Sequence, residues 1–162
     1  MIGLMVLAGL RIGELPRLLC ADLNPENRTI KIRAGKGPDG GKDRTAYMTP
    51  QLQAMVVSYL DARKRAHRTH PEFLTDARRD RSISTKPVRR LCEIISRAMK
   101  VPFSPHALRH TYATLLRQSN VPDRVAMDLL GHTSLAMLQR YSHVFEGEHQ
   151  REAAKLHLDI GL

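Results

Sequence analysis

The first eight positions, "MIGLMVLA", hold no polar side chain. A run apolar on every face reads as a buried helix, and Gly9 is the residue type that ends one by turning left-handed. "RIGELPRLL" follows, where Pro16 is tolerated only in a first turn, so a second helix is predicted from near Ile12 or Gly13. The pattern then changes period. "RTIKIR" and "RTAYMT" alternate polar and apolar residues around the Gly-, Pro- and Asp-rich "AGKGPDGGKD", which predicts a β-hairpin with a long basic loop.

Helical spacing returns in "PQLQAMVVSYLDARKRAH", after a first-turn proline and with a basic end suited to a helix C-terminus. A polar stretch broken by "EFLT" separates it from "STKPVRRLCEIISRAM", a helix expected to start at a Ser or Thr cap and to turn Leu91, Ile94, Ile95 and Met99 inward. Three further segments follow: "SPHALRHTYATLLRQS", "VPDRVAMDLLGH" stopped at Gly131, and "SLAMLQRYSHV". The chain closes on the polar "EGEHQREAAKLHL". The expected class is mostly α with a small antiparallel β-hairpin or sheet, without repeats or low-complexity linkers.

At 162 residues and 42% hydrophobic content the chain can bury one core, whereas two domains would each be too small. The net charge is +10, and 12 of the 26 basic residues fall in residues 61–100. A folded basic surface, part solvated and part facing a polyanion, fits this block better than a disordered tail. Aromatic residues make up only 4%, too few for a base-stacking platform, so duplex backbone contact is the favoured mode. Cys20 and Cys92 are far apart and form neither a disulfide framework nor a thiolate zinc site, which leaves a reducing cytoplasm as the expected location. The apolar N-terminal run is too short to cross a bilayer, and no membrane association is expected.

Some positions carry chemistry that packing does not ask for. They are Arg11 between apolar neighbours, His106 with Arg109 one turn apart, His132 directly after Gly131, and Tyr141 nine residues on. Residues three apart on a helix project to nearly one side, so His106 and Arg109 could grip one anion, and the planar fork of arginine suits a phosphate. Taken singly, Arg11 reads as a carboxylate cap and Tyr141 as an amphipathic core residue; their joint occurrence reverses that balance. His106 and His110 have the four-residue spacing of a zinc pair, but Ala107 stands where a zincin carries glutamate. His110 is therefore read as structural, beneath the site, and no metal or cofactor is expected.

"AGLRIGEL", "GKG" in a hairpin loop, "HALRHTYATLL", "DLLGH" and "QRYSHV", in this order and at these separations, resemble the catalytic domain of the tyrosine recombinases, the phage integrase family. The resemblance covers nearly the whole chain, and although each block alone is common, five in order are specific. It implies the tyrosine recombinase catalytic-domain fold. It also implies an enzyme that cuts and rejoins DNA through a covalent 3′-phosphotyrosine, without metal. Arg11 and Arg109 would clamp the scissile phosphate, His106 and His132 would complete the donor set, Tyr141 would be the nucleophile and Lys36 the general acid. Glu14 would brace Arg11 or a neighbouring histidine from behind.

Fixed cations aimed at the equatorial oxygens stabilise the charge that grows there during phosphoryl transfer. The implied partner is double-stranded DNA, with self-association into a tetrameric synapse. The C-terminal segment bearing Leu156 and Leu158 would dock on a neighbouring protomer. Two other readings use similar residues: a non-catalytic DNA-binding relative, which should have lost a reactive residue, and a topoisomerase IB-like nicking-closing enzyme. Residues 1–162 are expected to form one catalytic domain, without the family's first catalytic-domain helix and N-terminal DNA-clamping domain ahead of Met1. A bacterial, phage or mobile-element origin follows from the same resemblance.

Overall fold

The structure, a computed structural model, describes residues 1–33, 43–76 and 78–131. The loop bearing Lys36 and the segment from His132 onward, with Tyr141 and the closing residues, lie outside the described residues. Helix α1 (Ile2–Ala8) forms where expected, with Leu4, Met5 and Ala8 buried and the other residues part-buried. Gly9 ends it at φ 65°, with the Leu10 amide donating back to the Leu4 carbonyl at 3.1 Å. The left-handed turn is needed for space as well as direction, because a Cβ on Gly9 would lie 2.3 Å from the Tyr112 ring.

No second α-helix follows. The chain makes one turn and a 3-10 segment at Leu15–Arg17, then becomes extended at Leu18. The cause is local: the Glu14 carboxylate takes the Arg11 amide at 2.7 Å, and the following amides bond three residues back, Arg17 to Glu14 and Leu18 to Leu15. Pro16 has no amide to offer a wider helix. After a second 3-10 turn, Cys20–Asp22, the chain enters the sheet.

The predicted hairpin is present as β2 (Thr29–Ile32) and β3 (Arg44–Tyr47), paired antiparallel with Ile30 opposite Ala46 and Ile32 opposite Arg44. A third strand, β1 (Leu23–Asn24), adds to the other edge of β2 and is too short for its alternation to register in sequence. Asp22 anchors the loop end of β2: it accepts the Leu19 amide at 3.0 Å and pairs with Arg33 at 2.6 Å.

Helices α2 (Pro50–Arg65), α3 (Lys86–Met99), α4 (Pro105–Gln118) and α5 (Asp123–Leu130) complete the domain. Thr49 and Ser104 cap α2 and α4 by accepting the Leu52 and Ala107 amides, and each is followed by a first-turn proline. The Thr85 side chain makes no such cap for α3.

The inward face of α3 also differs from expectation. Val88 and Cys92, one turn apart, are buried, Leu91 and Ile95 are part-buried, and Ile94 and Met99 are 54% and 62% exposed. Ile94 projects well away from the Val88–Cys92 stripe, while Met99 lies on it but at the helix's last residue.

The core joins α1, the sheet, α2 and the first half of α3 through Leu4, Ile30, Leu52 and Val88, and a smaller cluster of Tyr112, Ala113, Ala126 and Leu130 lies between α4 and α5. Helix α4 packs along α1, and α5 touches both α4 and β3. This arrangement brings the C-terminal ends of α1 and α5, the Arg11 turn and the start of β3 to one side of the domain. No helix among the described residues is long and apolar enough to cross a membrane.

Candidate functional site

The last carbonyls of a helix have no partner within it, and they lie at the negative end of its dipole. Helix α5 ends in this way at Leu130 and Gly131, with Gly131 at φ 60°. Arg109, from the first half of α4, donates through Nη2 to the Leu130 carbonyl and through Nη1 to the Gly9 carbonyl at the end of α1. A single guanidinium thus ties two helix ends together, and its residue is only 7% exposed. Arg11 donates through Nη2 to the next carbonyl, Gly131, at 2.9 Å. Two guanidiniums from distant parts of the chain therefore rest on consecutive carbonyls, directly ahead of His132 in sequence.

Glu14 fixes Arg11 from the other side. Besides the Arg11 amide it accepts Arg11 Nη1 at 3.3 Å, and it holds Arg44 in a two-point pair at 2.6 and 2.9 Å. The side chains of Glu14 and Arg44 are 16% and 8% exposed, against 39% for Arg11. Burial alone would raise the Glu14 carboxyl, but the Arg44 hydrogen bonds and charge, with the Arg11 amide and guanidinium, more than offset it and hold it below its ordinary value. Tyr112 closes the cluster from below: burial pushes its phenol up, against the pull of the Arg109 and Arg44 charges.

Of the residues singled out in sequence, Arg11, Glu14 and Arg109 are thus brought to one place. His106 lies on the first turn of α4 with its side chain exposed, whereas Arg109, one turn on, is buried. His110 is part-buried with Nδ1 3.3 Å from the Thr114 hydroxyl. Lys36, His132 and Tyr141 fall outside the described residues. Among the described residues no three His, Cys, Asp or Glu side chains are grouped to hold a metal ion.

One residue of the cluster escaped the sequence reading. Arg44 opens the strand-like "RTAYMT", and its parity gives it away: Ala46 and Met48 are buried, so Arg44, two residues before Ala46, shares their inward face. A charge on the core side of a strand needs a partner, and Glu14 supplies it.

Residues 1–148 match the phage integrase family, and the chain belongs to that family. It is 34% identical over 148 residues to the tyrosine recombinase XerA of Pyrococcus furiosus, covering 91% of this chain and 50% of that protein. To the tyrosine recombinase XerC of Pelobacter propionicus it is 35% identical over 139 residues, covering 85% and 44%. The chain spans about half the length of the curated relatives it matches. A crystal structure of XerA recombinase superposes with a TM-score of 0.82 at 26% identity, over 96% of this chain and 57% of that one. The Tn1549 transposon integrase, solved with transposon right end DNA, shares the fold at 21% identity and a TM-score of 0.75, over 96% and 57% of the two chains. The fold is that of the tyrosine recombinases.

Proposed function

We propose that this chain is the catalytic part of a site-specific DNA recombinase that cleaves and rejoins strands through a covalent 3′-phosphotyrosine. The observation that carries the reading is the seating of Arg11 and Arg109 on the consecutive carbonyls of Leu130 and Gly131. A guanidinium already bonded to the backbone does not have to be ordered when a phosphodiester arrives, so its field acts on the transition state at little reorganisation cost. In this reading Arg11 and Arg109 face the non-bridging oxygens, with His106 and His132 as further donors. The Tyr141 hydroxyl releases its proton to solvent as its oxygen attacks phosphorus, the bond to the 5′-oxygen breaks, and Lys36 gives that oxygen its proton. The new phosphotyrosine ester retains the energy of the bond broken, so a 5′-hydroxyl from another strand can reverse the step without ATP. Double-stranded DNA in the cytoplasm is the substrate, and strand exchange takes place between protomers assembled on it as a tetramer.

The test is to incubate the protein with duplex DNA carrying the sequence that flanks its own gene and to look for a protein–DNA adduct that survives denaturation. Wild type is expected to give the adduct with EDTA present. Tyr141→Phe is expected to give none while binding DNA almost as before, since it removes one hydroxyl and no charge. An undiminished adduct in Tyr141→Phe would move the nucleophile elsewhere; no adduct with wild type would remove the reading.

A further inference from the structure

Arg44 belongs to none of the sequence blocks that mark the family resemblance, yet it touches two parts of the candidate site, Glu14 and Gly131. Its guanidinium takes both oxygens of Glu14. Its aliphatic stem lies against Gly131, where a Cβ would come within 2.6 Å of Arg44 Cδ. Its backbone begins β3, on the far side of the loop that carries Lys36. Glu14 in turn is bonded to Arg11 through both main chain and side chain.

We propose that Arg44 is a positioning residue, which holds the Glu14 carboxylate away from full engagement with Arg11 and thereby sets the direction and the effective charge of the Arg11 guanidinium. The physical argument is a competition. Glu14 has two oxygens and two arginines to satisfy. The shorter, two-point contacts go to the more buried Arg44, while Arg11 Nη1 receives the longer one, at 3.3 Å. With Arg44 gone, a buried carboxylate would be left with Arg11 as its principal cation and would draw that guanidinium down from the Gly131 carbonyl. Lysine cannot restore the balance fully, because an ammonium is one point charge rather than a planar fork.

This proposal rests on the reading of Arg11 as a phosphate donor, and its test separates the two. Three variants are needed: Arg44→Ala, Arg44→Lys, and the charge-balanced Glu14→Gln/Arg44→Met, which remains informative if the first folds poorly. The side-chain 15N–1H signal of Arg11, identified by its loss in Arg11→Lys, is followed without DNA. It should shift in Arg44→Ala, shift less in Arg44→Lys, and move in the double variant as both the brake and the carboxylate are removed. An Arg11 signal unmoved in all three overturns the proposal, whatever the protein does to DNA.

With the flanking duplex as probe, adduct formation in Arg44→Ala should fall about 10- to 100-fold, the usual range for a group that orients a reactive one, with DNA affinity little changed. In an Arg11→Ala background the same change should cost about threefold or less, because its route of action is gone. A neutral methylphosphonate at the scissile position removes the charge Arg11 would hold, so the Arg44→Ala defect should shrink there together with the Arg11→Ala defect. A defect of the same size on both DNAs would make Arg44 a structural residue only and overturn the proposal. If wild type forms no adduct, the recombinase reading fails, and the Arg11 signal alone decides for or against Arg44.

Discussion

Two buried arginines, treated oppositely by the chain, show what distinguishes a candidate site from ordinary packing. Arg63, in the last turn of α2, is 6% exposed, and Arg109 is 7% exposed. Both guanidiniums are stripped of water and satisfied chiefly by backbone carbonyls, the arrangement such a group requires. Arg63, however, spends its bonds on one neighbouring loop: the Phe73 carbonyl at 3.0 Å, the Thr75 hydroxyl at 2.9 Å and the His70 carbonyl at 2.6 Å. The loop wraps the cation and ends there. Arg109 instead joins the ends of α1 and α5, and beside it Arg11, still 39% exposed at its side chain, occupies the next carbonyl. A buried arginine is therefore no sign of chemistry in itself. The sign is a second cation, part-exposed and held to the same frame.

The strongest way to break this comparison is to truncate both. Arg109→Ala is expected to lower strand cleavage by at least about 100-fold per folded molecule, the scale of losing a fixed transition-state donor at about 3 kcal/mol or more. Because Arg109 also ties two helix ends, the folded fraction must be measured alongside, by urea titration. Arg63→Met should do the reverse, lowering stability by about 2–3 kcal/mol through the orphaned carbonyls of His70 and Phe73, with cleavage per folded molecule unchanged. Equal losses of cleavage in the two variants would mean that the distinction between the two regions has no functional content.

How far each region can be read from sequence follows from where its partners come from. The hairpin and the helices α2 to α5 rest on local periodicity, and they are where "RTIKIR", "RTAYMT" and the helically spaced segments place them. The single turn at residues 12–17 was not legible as such, because it depends on the Glu14 carboxylate capturing a backbone amide, which an apolar pattern does not encode. The inward face of α3 departs from the expected Leu91, Ile94, Ile95 and Met99 for a related reason: Val88 and Cys92 form its buried stripe, and how far the core extends along the helix is set by its neighbours. Arg63 disappeared into a basic block read as surface. Arg11 and Arg109 stood out as charges inside apolar runs, whereas the carbonyls that seat them lie in other parts of the chain and become partners only on folding.

The finest test concerns Glu14, which links the part-exposed Arg11 to the buried Arg44. Its carboxyl is held below the ordinary 4.5 because Arg44 and Arg11 together outweigh the cost of its burial. A carboxyl lowered on folding adds stability that is fully present above its unfolded value and is lost as pH falls through the folded value. Above about pH 5, then, Glu14→Gln should be less stable than wild type by about 1–2 kcal/mol, the scale of a charged hydrogen bond partly replaced by a neutral one. As pH falls below the ordinary 4.5 the unfolded chain's carboxyl protonates while the folded one stays ionised, so the gap narrows, and the two unfolding free energies should converge once pH passes the lowered folded value. The same titration applied to Arg63→Met should show a constant gap from wild type, since Arg63 is held by two carbonyls and a hydroxyl, none of which titrates in this range. A gap for Glu14→Gln that stayed constant into acid would mean that the carboxylate's charge does not hold the Arg11 turn, and the difference between the two arginine regions would then rest on hydrogen-bond geometry alone.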